Sequence, residues 1–189
     1  MKPLLILVGI LLLAGLVFGS KFVGVRNELA TKREGVNAAF SQIDTDLQRR
    51  ADLIPNLVET VKGYAKEETT VIQSVSNARA GLLNAHSPQE KIDANQKLDG
   101  AIGRLLVVVE NYPNLKANAN FQSLQYELAG TENRILRSRQ KYNEAVQDYN
   151  TSIQLFPNNI VAGMSGYTRN DAYFKTDIGA RTAPSVKFN

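Results

Sequence analysis

Apolar positions in this chain recur at helical rather than strand spacing. A first stripe reads Val36, Phe40, Ile43, Leu47, Ile54, Val58, Val61 and Ala65, at intervals of three, four or seven. Pro55 falls inside it and removes a backbone donor, so a kink is expected there. A shorter stripe, Val71, Val75, Ala78 and Leu82, ends near Ala85. The third segment marks its own start: Ser87-Pro-Gln-Glu90 sets a capping hydroxyl, a first-turn proline and a capping-box carboxylate in order. Ala94, Leu98, Ala101, Leu105, Val108 and Tyr112 continue its core face until Pro113 ends it. The fourth stripe is the longest: Phe121, Leu124, Leu128, Thr131, Ile135, Tyr142, Val146, Tyr149, Ile153 and Phe156, closed by Pro157. Such three-four spacing describes a coiled-coil seam. Its roughly 36 residues would reach ~54 Å, and a first helix from about Arg26 to Lys66 would match it. The expected fold is all-α, an elongated up-and-down bundle of two long and two short helices, with the short pair end to end against the long pair.

The N-terminal pattern is different in kind. An uncharged run extends from Pro3 to Ser20 between Lys2 and Lys21. At ~1.5 Å per residue it falls slightly short of a ~30 Å hydrocarbon layer, and Phe22 to Val25 extend it if Lys21 snorkels to the surface. Two readings compete. A cleaved signal peptide would have Val17-Phe-Gly19 before Ser20 as its processing site, and the secreted product would be a helical protein. A single-pass transmembrane anchor would keep the segment and run on into the body; the continuation of the helix without a turn favours this second reading. Lys21, Arg26, Lys32 and Arg33 outweigh Lys2, which by the positive-inside rule leaves the body in the cytoplasm, although the signal-like start argues for the other side. Gly15 and Gly19 form a GxxxG pair that permits close packing of two anchors, while glycine is also simply common in membrane helices.

Composition narrows the chemistry. The 189 residues contain no Cys and one His, His86, which excludes disulfides, thiolate nucleophiles, Cys-ligated metals and multi-histidine sites. A net charge of +4 from 22 basic and 18 acidic residues is too mild to argue for nucleic acid. Neither a catalytic triad, a metal cluster nor a phosphate-cradling loop can be assembled, so no catalytic residue, metal or cofactor is expected and the chain reads as a non-enzyme. Arg49, Arg50 and Asp52 surround a gap in the first stripe, within reach of Glu127, Glu132, Arg134 or Arg137 on the last helix. Interhelical polar contacts explain them better than a ligand site does. Asp44 and Asp46 point in different directions on a helix and cannot share a metal. Tyr112, Pro113 and Asn114 open a hinge in which Asn111, Asn114 and Asn118 can cap helices or stabilise turns. Tyr142 and Tyr149, seven apart, belong to the seam, where buried hydroxyls would need partners.

Several fragments resemble the LemA family of bacterial membrane proteins. They are Arg49-Arg-Ala-Asp-Leu-Ile-Pro-Asn-Leu-Val58, Val61-Lys-Gly-Tyr-Ala65, Tyr112-Pro-Asn-Leu-Lys-Ala-Asn118, Phe121-Gln-Ser-Leu-Gln-Tyr-Glu-Leu128, Thr131-Glu-Asn-Arg-Ile135, Tyr142-Asn143, Tyr149-Asn150 and Phe156-Pro157. The likeness runs from about residue 20 to residue 165. It implies an anchor in the bacterial inner membrane and a helical-bundle body, and it carries over no catalytic residues. It also suggests a membrane-bound protease of the quality-control type as a partner.

Three segments are therefore expected: an anchor over 1–25, a helical bundle over 26–157 and a C-terminal tail over 158–189. The tail has no sustained period and carries aromatics at Tyr167, Tyr173, Phe174 and Phe188. It could drape over the bundle, contact another subunit or order on binding, and ordered contacts fit its aromatics best. The leading function is a membrane-anchored scaffold that self-assembles into a homo-oligomer, with the lipid bilayer as its other partner. An adaptor for a membrane protease or other envelope machine is the alternative.

Overall fold

A computed structural model describes residues 2–174, with side chains from residue 6 onward, and no strand occurs among them. Six helices follow one another: α1 (Lys2–Tyr64), α2 (Thr69–Leu83), α3 (Pro88–Val109), α4 (Pro113–Lys116), α5 (Ala119–Gln154) and α6 (Asn158–Ser165). The two long and two short helices of the all-α expectation are α1 with α5 and α2 with α3. One-turn α4 and two-turn α6 are additional.

Local chemistry explains the boundaries. At the start of α3 the Ser87 hydroxyl accepts from Glu90 N–H, and the Glu90 carboxylate accepts from Ser87 and His86 N–H, a complete capping box with Pro88 in the first turn. Those backbone donors hold the Glu90 carboxyl below its usual range. Asn118 opens α5 by accepting from Phe121 N–H, and its amide donates to the Tyr64 hydroxyl at 2.9 Å. Gly166 ends α6 in the left-handed region at φ 73°, which lets Tyr167 N–H reach the Ala162 carbonyl.

Contacts divide the chain into two compact units: Met1–Thr45 with Lys141–Asp171, and Asp46–Gln140 with Ala172–Asn189, each as far as the described residues reach. The first unit pairs α1 and α5 in antiparallel order. Ser152 donates to Glu28, Lys32 faces Asp148 at 4.0 Å, and the Phe40 and Tyr142 rings meet at 5.9 Å. Leu29, Val36, Ile43, Tyr142, Val146, Tyr149 and Ile153 are buried there with Val161 and Ala162 of α6. In the second unit the core comprises Leu47, Ile54, Leu57, Val61, Leu98, Leu105, Leu115, Phe121 and Ile135.

The structure departs from the sequence reading at five points. First, α2 and α3 lie side by side, with Ser74, Ala78 and Gly81 facing Ala94, Lys97 and Ala101 across a shared groove, rather than end to end. The turn between them is short. Second, the α2 stripe opens with buried Ile72 instead of half-buried Val71, while its Val75 and Leu82 are buried as expected. Third, α3 stops at Val109, and Pro113 opens α4 instead of closing α3, as its preset φ suits a first helical position. Fourth, residues 158–165 form α6 instead of irregular tail. Fifth, Phe156, the last residue of the long stripe, is 80% exposed. The helix ends before it at Gln154, so the periodic face does not carry it into the core. Pro55 lies within α1, which continues through it.

Candidate functional site

The most concentrated polar chemistry lies in the second unit, where α1, α3 and α5 converge on Arg50. This guanidinium is almost fully enclosed; its Nη1 lies 2.6 Å from Asp99 on α3, 2.6 Å from Glu132 on α5 and 3.2 Å from the amide oxygen of fully buried Asn95. Asn95 in turn donates to the other Asp99 oxygen at 3.0 Å. One cation thus faces two carboxylates. Burial pushes the Asp99 carboxyl above its usual range; the Arg50 charge pulls it back, and the Glu132 charge pushes the same way as burial. Nearly two turns after Glu132 on α5, Ser138 donates at 2.7 Å to Asp46, which is buried one turn before Arg50 on α1. Arg139 lays its guanidinium over the Phe174 ring, 5.4 Å from the centroid. Arg79 of α2 donates to the Ala51 carbonyl of α1 at 2.7 Å.

Of the sequence candidates for interhelical contacts, the structure brings together Arg50 and Glu132 alone. Arg49, Glu127 and Arg134 are exposed, and so is Arg137. Asp52 is also exposed and accepts from Gln48 on its own helix. Asn95 and Asp99 were not among the candidates. They stand at i, i+4 on α3, and a polar pair on the same face as buried Leu98 and Ile102 was the available signal.

In the hinge, the Tyr112 hydroxyl donates to Glu68 at 3.1 Å, a bond that raises the phenol above its ordinary range. Pro113 sits in the first turn of α4, and Asn114 is exposed. Tyr149 donates to the Thr168 carbonyl, and Asn150 exchanges two hydrogen bonds with the Asn170 backbone, which lays the segment after α6 along α5 of its own chain. Phe188 of the tail lies outside the described residues. Gly15 and Gly19 open onto empty space on α1.

What can this arrangement do? With Arg50 between them, Asp99 and Glu132 are committed to an ion pair rather than aimed at a substrate. Among the described residues no group of three or more His, Asp or Glu stands ready for a metal. Exposed His86 contributes only its backbone N–H to the α3 cap. The cluster pins three helices at one level.

The LemA family model matches residues 39–188, most of the chain and all of this cluster. The chain belongs to the LemA family. Its similarity to curated members is distant. Protein LemA of Metamycoplasma hominis is 26% identical over 147 residues, covering 77% of this chain and 67% of that protein. Magnetosome proteins MamQ 1 and MamQ 2 of Paramagnetospirillum magneticum are each 27% identical over 179 residues, covering 81% of this chain. The chain spans 66% of the length of either MamQ protein. The LemA match begins beyond the apolar N-terminal part of α1, the one helix among the described residues that is long and apolar enough to cross a membrane.

Proposed function

We propose that this LemA-family protein is a single-pass, non-enzymatic scaffold of the bacterial inner membrane, its body on the cytoplasmic side, which self-assembles through its bundle and tail. The observation that carries the reading is α1. One unbroken helix begins as a sheath of exposed apolar side chains, including Ile6, Leu12, Leu16 and Phe18, and continues as the core strip Leu29, Val36, Ile43, Leu47 and Ile54. In water that sheath is unfavourable; in hydrocarbon it is the ordinary surface of a span. Reading the chain as non-enzymatic rests on the commitment of its buried polar groups to contacts between helices.

Self-assembly draws support from the anchor. Open space at Gly15 and Gly19 permits a second anchor to approach closely. Anchors confined to one membrane raise one another's effective concentration, so weak contacts between bodies count. Where copies standing parallel meet head to tail, such contacts close into rings when the rotation allows. Light scattering of the full-length protein in mild detergent is the test. Several chains per particle, reduced by deletion after Gly166, are expected; one chain per micelle, unchanged by that deletion, would remove self-assembly from the reading.

A further inference from the structure

In the first unit, the turn after α5 and the first half of α6 lie beside the apolar part of α1. Between them runs a groove of about 590 Å³, walled by Ile10, Leu13, Val17 and Val25 on one side and Phe156 and Ile160 on the other, with Lys21 also in its lining. Ile10 and Val25 are fifteen residues apart, so this wall of α1 is about 22 Å tall. Val161 and Ala162 turn α6 inward; Leu155 (58% exposed), Phe156 (80%), Ile160 (48%) and Met164 (70%) point out. At i and i+4, Ile160 and Met164 share one face of α6, and Phe156, in the turn before α6, lines the same groove as Ile160. No charged residue interrupts residues 149–168.

Monomeric soluble proteins rarely leave so contiguous an apolar patch in water. Here the patch is continuous with the surface that the span presents to lipid. Whatever surrounds Ile10, Leu13 and Val17 also fills the groove and meets Ile160. We infer that α6 is a second membrane-contacting element: the segment from Leu155 to Met164 sits in the bilayer interface beside the anchor, its outward face among acyl chains. Lys21, which shares the groove lining, then reaches up to the headgroups. This inference rests on the anchor reading of α1.

The chain has no Trp, so single-tryptophan variants report without background. Ile160→Trp, Leu12→Trp in the span and Tyr126→Trp, at a position 83% exposed on α5 in the other unit, would be reconstituted as full-length protein in phosphatidylcholine–phosphatidylglycerol vesicles with and without brominated acyl chains. Blue-shifted emission and loss of most fluorescence in brominated lipid are expected at positions 12 and 160, with neither at 126. Quenching at 12 with red, unquenched emission at 160 would overturn the inference and leave the anchor standing. Blue-shifted but unquenched emission at 160 would assign that face to protein, such as a second copy, and overturn it as well. So would equal quenching at all three positions. An unquenched position 12 would remove the anchor reading and this inference with it. Phe156→Trp, an aromatic exchange at an exposed site, repeats the measurement if Ile160→Trp fails to fold.

Discussion

The two units use the same pair of long helices in opposite ways. Around Arg50 the second unit buries charge: a guanidinium, two carboxylates and an amide are drawn inside and matched to one another. Around α6 the first unit does the reverse, leaving apolar side chains outside with no charge among them. A buried ion cluster contributes little net stability, because desolvation offsets the attraction between its members, but it penalises any register that separates them. An exposed apolar face penalises water and so selects a surrounding medium. The first device specifies which helices meet, and the second where that part of the chain can reside.

The largest expected effect lies in the second unit's core. Ile135→Ala, at a fully buried position, should cost about 4 kcal/mol, read as a lowered denaturant midpoint with unchanged slope. Arg50→Met comes next. It strands Asp99 and Glu132 facing each other and should cost about 2–3 kcal/mol, less than a fully enclosed pair because both carboxylates keep some water.

Asp99→Asn should act differently. Because burial holds the Asp99 carboxyl above its usual range, the folded chain keeps that proton at a pH where the unfolded chain has released it. The stability it contributes is therefore fully present below the unfolded value and is lost as pH rises through the raised folded value. The amide removes this loss, so Asp99→Asn should be neutral or stabilising by less than about 1 kcal/mol at neutral pH, with no gain in acid, across a pH series of melting curves. A cost as large as that of Arg50→Met would mean that Asp99 is an essential partner rather than a strained one. Smallest of all is Met164→Ala, which in detergent should change stability by less than about 0.5 kcal/mol, since its side chain is 70% exposed.

Periodicity made most of this fold legible. Val36, Ile43, Leu47, Ile54, Val58 and Val61 were a stripe in the sequence and are core in the structure, because three-four spacing reports one face of a helix whatever packs on it. Spacing does not report what that packing partner is. Phe156 continued the stripe and is exposed, as the helix ends before it and the apolar surface there faces outward. The placement of α2 against α3 depended on contacts far apart in sequence, and Asn95 and Asp99 stayed unrecognised for the same reason. Their partner Arg50 is 45 and 49 residues away along the chain. Arg49, Asp52, Glu127 and Arg134 had the right residue types, but their positions face solvent, and a difference of one residue on a helix turns a side chain by about 100°.

Anchoring requires that the apolar start of α1 remain part of the mature protein. Peptide mapping by mass spectrometry of the protein recovered from washed membranes tests that directly. Peptides from residues 1–20 should be found in the same molecules, and at the same abundance, as peptides from 26–157. A mature chain that begins at Ser20 and partitions into the soluble fraction would contradict the account.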